Sequence, residues 1–214
     1  MSRPSEVVQI AILAKAPIAG LAKTRLTPAL GAEGAAQLQA ALTVWAVRTA
    51  LDAEVGAVHL WCAPDVGHPH FRRVQTLYPV TCLDQVEGDL GARILAAFNR
   101  HCPVGPLIVI GTDCPSLEVE HLRDAARTLT GGHDAVFQPA EDGGYVLIGM
   151  RRPSAALFDN MPWSTSSVMA QTRQRASRQG LRWAELPTLW DVDEPPDLER
   201  LRRSASLSHL LHRP

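Results

Sequence analysis

Apolar residues along the chain follow two alternating patterns. Some runs are short and continuously apolar, such as Leu107-Ile108-Val109-Ile110, which is typical of a strand covered on both faces. Between these runs lie longer segments with apolar residues at helical spacing, such as the one that follows Gly31. The patterns predict strands at residues 7–14, 57–62, 80–83, 107–110, 135–138, 145–150 and 182–186, and helices at residues 32–51, 69–78, 90–102, 118–129, 166–179 and 197–203.

The alternation of strands and helices predicts an α/β fold. Parallel neighbouring strands need a long connection, so helices of this length between strands indicate βαβ units and a mostly parallel sheet. Sheets of this kind bind ligands in the crevice beyond the carboxyl ends of their strands. We expect the 214 residues to form one domain, 1–214, whose residues 204–214 are a loosely held tail.

The composition narrows the classes of partner. With 46% hydrophobic and 20% charged residues, the chain is typical of a soluble globular protein. A formal net charge of −1 argues against a nucleic acid partner. The first apolar run is too short to cross a membrane and no signal cleavage pattern follows it, so we expect a cytoplasmic protein without a membrane partner.

A loop rich in cations follows the first predicted strand. It contains Lys15, Gly20, Lys23 and Arg25, at the position where α/β proteins bind phosphates. Backbone amides of a glycine-containing turn, a lysine charge and an arginine fork together complement a polyphosphate. The loop lacks the glycines of a Walker A motif. Its local pattern alone leaves an ordinary solvated surface loop equally open.

Two acidic segments are candidates for holding a metal ion. Asp113 comes directly after the apolar strand at residues 107–110, a good position for Mg²⁺, which takes one or two protein carboxylates together with substrate phosphates. A turn-capping role for Asp113 is the alternative. In an extended segment Asp191 and Asp193 face the same side while Val192 faces away, so that both carboxylates can converge on one cation.

Two loops are candidates for binding a second substrate. Asp142, Gly143 and Gly144 join two apolar strands, and adjacent glycines allow a close approach of backbone to a ligand. A plain hairpin turn would also explain the glycines. Trp163 lies in a loop before a helix, where it could contact a substrate or fill the core.

Taken in order, these motifs resemble those of a known family. The chain is similar to a bacterial family of uncharacterised GT-A-fold proteins that are usually labelled glycosyltransferases. More distantly, it resembles the 2-phospholactate or phosphoenolpyruvate guanylyltransferases and the molybdenum cofactor guanylyltransferases. The resemblance runs from the first strand to the last helix and is carried by Ala14-Lys15-Ala16-Pro17, Gly20, Lys23-Thr24-Arg25-Leu26, Glu87-Gly88-Asp89-Leu90-Gly91, Gly111-Thr112-Asp113-Cys114-Pro115, Glu141-Asp142-Gly143-Gly144-Tyr145, Pro162-Trp163-Ser164-Thr165 and Asp191-Val192-Asp193.

The resemblance implies a three-layer α/β/α Rossmann-like GT-A fold, the nucleotide-diphospho-sugar transferase fold. It implies that the first loop holds nucleotide phosphates and that the three aspartates hold Mg²⁺ or Mn²⁺. Carried over position by position, the residues are Gly20, Lys23 and Arg25 for the nucleotide and Asp113, Asp191 and Asp193 for the metal. Our hypothesis adds Lys15 to the nucleotide site and assigns catalysis to Lys23, Arg25 and Asp113. It assigns the acceptor site to Asp142, Gly143, Gly144 and Trp163.

Our hypothesis for the activity is nucleotidyl transfer from a nucleoside triphosphate to a small phosphorylated acceptor, with release of pyrophosphate. A glycosyltransferase that uses a nucleotide-diphospho-sugar is the first alternative, and a non-enzymatic nucleotide-binding protein is the second. The expected partners are therefore a nucleotide or nucleotide sugar and a small-molecule acceptor, and a homodimer stays open.

Overall fold

The computed structural model describes residues 7–211 and contains one seven-stranded sheet. Its strands are β1 (Gln9–Lys15), β2 (Val58–Ala63), β3 (Thr81–Asp84), β4 (Leu107–Ile110), β5 (Ala135–Pro139), β6 (Tyr145–Met150) and β7 (Trp183–Glu185). Its helices are α1 (Thr27–Asp52), α2 (Pro69–Leu77), α3 (Leu90–His101), α4 (Val119–Thr130), α5 (Val168–Arg178) and α6 (Pro195–Arg203). Within residues 7–211, no helix is both long and apolar enough to cross a membrane.

The sheet has the order β3-β2-β1-β4-β6-β5-β7 and is mostly parallel, as predicted. Strands β1, β2, β3 and β4 are parallel, and β5 is parallel to β7. Only β6 runs against its neighbours β4 and β5, because a short turn joins it to β5. The carboxyl ends of β1 to β4 therefore lie along one edge of the sheet, where the order of the strands leaves a crevice.

Helices cover both faces of the sheet, which confirms the three-layer α/β/α architecture. Leu122 of α4 and Val47 of α1 pack on one face, and Phe98 of α3 and Met169 of α5 pack on the other. Together with the apolar strand residues they form two cores, one on each side. The continuous burial of β4 follows from this double coverage.

A third apolar cluster forms outside α1 and corrects the predicted tail. The carboxyl-terminal residues Leu207 and Leu210 are buried against Leu38 and Leu42 of α1. Residues 204–211 are therefore held by packing, and the remaining residues of the predicted tail, 212–214, lie outside the described residues. The sequence missed this because two leucines among serines and histidines give no periodic signal.

Two helix boundaries differ from the sequence prediction for reasons of backbone geometry. Helix α1 begins at Thr27, but Gly31 has φ 70° and ψ 167°, so its first turn is separated from the rest by the predicted breaker. Helix α6 begins at Pro195 instead of residue 197. Proline is well suited to the first helical turn because its missing N–H would have no partner there.

A stacked pair of histidines, one buried and one half-buried, is expected to make the protein less stable in acid. The rings of His59 on β2 and His101 at the end of α3 stack with centroids 4.0 Å apart. The Nδ1 atom of His59 and the Nε2 atom of His101 are buried without a hydrogen-bond partner. Burial, with smaller contributions from His59 and Arg100, lowers the pKa of His101 from 6.5 to about 4.

Because this pKa is lower in the folded state, the unfolded chain binds more protons below pH 6.5, and stability falls as the pH drops toward 4. We expect a loss of about 1–2 kcal/mol in the free energy of unfolding between pH 7 and pH 5, measured by urea denaturation. His101→Gln should flatten this dependence. An unchanged pH dependence in that variant would assign the effect to other groups.

Candidate active site

A cleft with two connected chambers lies beyond the carboxyl ends of β1 and β4. The first chamber, about 560 Å³, extends toward the end of β3 and the start of α3. The second, about 610 Å³, extends toward the loop after β1 and the loop before α5. Lys15, Asp113, Asp191 and Asp193 line both chambers and therefore mark their junction.

At this junction a buried lysine is held by two aspartates. The Nζ atom of Lys23 lies 2.6 Å from Oδ1 of Asp113 and 2.8 Å from Oδ1 of Asp193, and it donates to the carbonyl oxygen of Val192 at 2.7 Å. Its side chain is only 5% exposed. Burial alone would lower the pKa of Lys23, but the two carboxylates outweigh it and raise the pKa above the ordinary value. Lys23 is therefore a charged crosslink between the first loop and the carboxyl-terminal segment.

Backbone contacts explain why residues so distant in sequence meet here. The amide of Val192 donates to the carbonyl oxygen of Asp113 at 2.8 Å, which fixes the segment of residues 191–193 against the end of β4. Val192 is fully buried, whereas Asp191 and Asp193 are half-buried and line the cleft. The predicted alternation of these three residues is thus present.

The junction carries more negative charge than Lys23 can neutralise. Burial, then Asp193, Asp142 and Asp113, raise the pKa of Asp191 to about 6. A carboxyl group shifted upward by neighbouring carboxylates indicates a local excess of negative charge. A bound cation would relieve it.

The predicted metal ligands fit a divalent cation in their chemistry, but they are not assembled around a common point. Asp113, Asp191 and Asp193 supply the carboxylate oxygens that Mg²⁺ and Mn²⁺ prefer. Among the described residues, however, no three acidic, histidine or cysteine side chains are grouped closely enough to hold a metal. The ammonium group of Lys23 lies between two of the predicted ligands instead. The assignment of Asp113, Asp191 and Asp193 as metal ligands stays a prediction.

The other residues of the basic loop differ in their access to the cleft. Lys15 is exposed and lines both chambers, and Arg25 is exposed, lines the second chamber and lies 3.8 Å from Glu194. Gly20, with φ 79°, lies in an exposed turn and does not line either chamber. Its positive φ turns the loop, and its contact with the nucleotide stays a prediction. The structure also places Lys23 against carboxylates and not in solvent.

The predicted acceptor residues fall into two groups. Asp142, Gly144 and Trp163 line the second chamber, and Oδ1 of Asp142 accepts from the amide of Gly144 at 2.8 Å. Gly143 does not line it. Its backbone packs against Ser166, and its carbonyl oxygen accepts from the amide of Met169 at 2.8 Å. Gly143 therefore makes a packing contact that positions the loop before α5, and its contact with the acceptor stays a prediction.

This packing predicts that Gly143→Ala destabilises the protein strongly. Gly143 has φ 90°, and a Cβ atom there would overlap the carbonyl oxygen of Ser166. We expect the free energy of unfolding to fall by about 3 kcal/mol, measured by urea denaturation. Gly20→Ala is the matched control, since Gly20 also has a positive φ but nothing within 4 Å of its Cβ position. It should lose only about 1 kcal/mol. Equal losses in the two variants would contradict the packing role.

Several cleft residues have no sequence signal that singles them out. Gln39 of α1 is buried and donates to Oγ1 of Thr112 at 3.0 Å, and Thr112 donates in turn to Oδ1 of Asp113 at 3.3 Å. Gln85 and Arg93 line the first chamber. Each is an ordinary polar residue of a helix or loop in the sequence. Only the fold shows that they face the cleft.

Solved structures with a similar fold confirm the GT-A architecture. A protein from Desulfovibrio desulfuricans G20, described as a candidate nucleotide-diphospho-sugar transferase, is 26% identical with a TM-score of 0.82, over 96% of this chain and 94% of its own. A cytidylyltransferase from Leptospira borgpetersenii is 12% identical with a TM-score of 0.59, over 92% and 85%. A 4-diphosphocytidyl-2C-methyl-D-erythritol synthase from Anaerococcus prevotii is 9% identical with a TM-score of 0.60, over 90% and 93%. The last two show the fold alone.

Sequence comparison identifies the family. No curated protein matches the chain significantly. A family model matches residues 46–165, more than half of the chain and including Asp113, the turn at residues 140–144 and Trp163. The chain belongs to the family described as "Uncharacterized protein conserved in bacteria (DUF2064)".

Proposed function

We propose that this protein is a metal-dependent transferase that moves a nucleotidyl group from a nucleoside triphosphate to a small phosphorylated acceptor. The observation that carries the proposal is the cluster of Lys23, Asp113, Asp191 and Asp193 at the junction of two chambers. A junction of this kind gives each of two substrates its own space while their reacting groups meet beside the same charges.

In this reaction an oxygen of the acceptor attacks the α-phosphorus, the bond between that phosphorus and its bridging oxygen breaks, and pyrophosphate leaves. Lys15 and Arg25, both exposed at the cleft, attract and orient the triphosphate. The half-buried carboxylates of Asp113, Asp191 and Asp193 would hold Mg²⁺ or Mn²⁺ once the nucleotide phosphates supply further oxygen ligands, and the bound ion would neutralise charge on the phosphates. Asp142, Gly144 and Trp163 face the acceptor in the second chamber. Positioning and electrostatics supply most of the rate enhancement.

The similar structures support a nucleotide-dependent transferase and leave glycosyl transfer open as an alternative to nucleotidyl transfer. The Leptospira protein is described as a cytidylyltransferase, which is in line with nucleotidyl transfer. The more similar protein, from Desulfovibrio, is described as a candidate nucleotide-diphospho-sugar transferase. Glycosyl transfer from a nucleotide sugar is therefore the second candidate, with the same cleft and the same carboxylates.

One experiment distinguishes the two reactions. The purified protein is incubated with Mg²⁺, each of the four nucleoside triphosphates and a panel of phosphorylated acceptors, and pyrophosphate is measured. Acceptor-dependent pyrophosphate release supports nucleotidyl transfer. Its absence, together with release of a nucleoside diphosphate from a nucleotide sugar, favours glycosyl transfer. If neither product forms and no nucleotide binds in a thermal-shift screen, the transferase proposal fails.

A further inference from the structure

The residues in the half of the first chamber that lies away from the junction have no assigned role in the proposed reaction. Leu13 of β1, Val109 of β4 and Ile148 of β6 form its floor, and Leu90 at the start of α3, which is 44% exposed, lines it on the side of the second chamber. An exposed leucine beside an apolar floor forms a slot that a flat, weakly polar group could fill. Lys15 connects this slot to the acidic junction.

At the edge of the slot lies an arginine whose hydrogen-bonding capacity is largely unused. Arg93 is half-buried, and its Nε atom is buried without a partner. Its Nη1 atom donates to Oε1 of Gln85 over a long 3.4 Å. In the part of the chain that the structure describes, no carboxylate lies within ion-pairing distance of Arg93. A buried guanidinium N–H without an acceptor is costly, and a ligand that supplies acceptors would remove that cost.

Gln85 holds its position independently of any ligand. Its Nε2 atom donates to the carbonyl oxygens of Ala14 at 3.0 Å and Trp61 at 2.8 Å. Both amide hydrogens are thus used, and the carbonyl oxygen Oε1 is directed toward Arg93. The end of the slot therefore presents a fixed polar edge beside an apolar floor.

The charges around the slot favour a neutral ligand over an anion. Asp89 lines the same chamber as Arg93, and Asp113, Asp191 and Asp193 line its other end. A second anionic group would be repelled by these carboxylates, whereas a neutral ring would not be repelled.

A guanidinium group binds best to two hydrogen-bond acceptors that lie side by side in one plane. Guanine offers O6 and N7 in this arrangement and cytosine offers O2 and N3, but adenine and uracil have no such pair.

We propose that the first chamber holds the nucleobase and that Arg93 determines its specificity by binding the two adjacent acceptors of guanine or cytosine. This inference rests on the proposed function, because it assumes that a nucleotide occupies the cleft. It names Arg93 as the residue that excludes adenine and uracil nucleotides.

The test measures binding of GTP, CTP, ATP, UTP and inorganic tripolyphosphate by calorimetry in the presence of Mg²⁺. The wild-type protein should bind GTP or CTP at least about tenfold more tightly than ATP and UTP, the value of one bidentate contact. The two leading nucleotides are compared directly, so the result also names the base. Arg93→Lys keeps the charge but removes the fork, and it should reduce the preference to within about threefold while tripolyphosphate affinity stays the same.

Arg100→Lys is the matched control, because Arg100 is exposed on the same helix and does not line either chamber. It should retain the wild-type preference. Circular dichroism and thermal unfolding check that both variants are folded. Tripolyphosphate binding without base preference, or a preference that survives in Arg93→Lys, would overturn this inference alone. If neither tripolyphosphate nor any nucleotide binds, the proposed function fails as well.

Discussion

Replacing Asp113 with asparagine is expected to lower the rate of nucleotide turnover about a thousandfold while the protein stays folded. Asparagine keeps the shape of the side chain but removes a negative charge from the junction of the two chambers. Lys23 would still contact Asp193 and the carbonyl oxygen of Val192, so the first loop should keep its position. The rate is measured as pyrophosphate release, or as release of nucleoside diphosphate if a nucleotide sugar is the donor.

Calorimetry then separates a loss of binding from a loss of chemistry. Nucleotide is titrated into wild type and Asp113→Asn with and without Mg²⁺, and the gain in affinity from Mg²⁺ should be largely lost in the variant. Asp124→Asn is the control, since Asp124 is an exposed residue of α4 that pairs with Arg127, away from the cleft. It should behave like the wild type. A variant Asp113→Asn with unchanged Mg²⁺-dependent affinity would remove Asp113 from the site.

The elements of the fold follow from the sequence because their signals are local. The four apolar residues of β4 and the alternation of strands and helices are enough to predict an α/β protein with a mostly parallel sheet. The position of β6 between β4 and β5 could not be predicted. Strand order depends on which apolar faces pack together, and that is decided by contacts between distant residues.

The acidic residues of the site could be predicted from the sequence for the same reason, because their signals are local. Two-residue alternation predicts that Asp191 and Asp193 share one side and that Val192 turns away, and the structure has this arrangement. Asp113 could be placed at the end of β4 because a carboxylate after a buried strand lies at the sheet edge. In both cases the inference needs only the local backbone geometry.

The basic loop could be identified from the sequence, but the partners of its buried lysine and the position of Arg93 could not, because both depend on residues that are distant in the sequence. Lys23 is a loop lysine in the sequence, and its partners Asp113 and Asp193 are 90 and 170 residues away along the chain. The environment of Arg93 depends on Gln85, which is fixed by backbone carbonyls of β1 and β2. A carbonyl oxygen carries no residue-specific signal, so no sequence pattern could indicate this arrangement.

Replacing Lys23 with methionine is expected to destabilise the protein and to reduce nucleotide turnover at least a hundredfold. The variant retains the volume of the side chain but leaves Asp113, Asp191 and Asp193 facing one another without the ammonium group. Breaking a buried pair costs about 3–5 kcal/mol, and because the two paired aspartates are partly exposed we expect about 2 kcal/mol. Urea denaturation in the presence of a chelator measures this loss.

Magnesium provides the second arm of the same experiment. In Lys23→Met the three carboxylates are free to bind a divalent cation, and an ion that binds only the folded state raises its stability. Added Mg²⁺ should therefore restore more stability to the variant than to the wild type, in which the ammonium group competes for the same oxygens.

Arg25→Met is the matched control, because Arg25 is exposed and lies 3.8 Å from Glu194, and it should change stability by less than about 0.5 kcal/mol. If Lys23→Met is as stable as the wild type in chelator and gains nothing from Mg²⁺, then Lys23 does not balance the charge of this site. The carboxylates would in that case have to be neutral or solvated in the folded protein, which would count against a cation site at the junction.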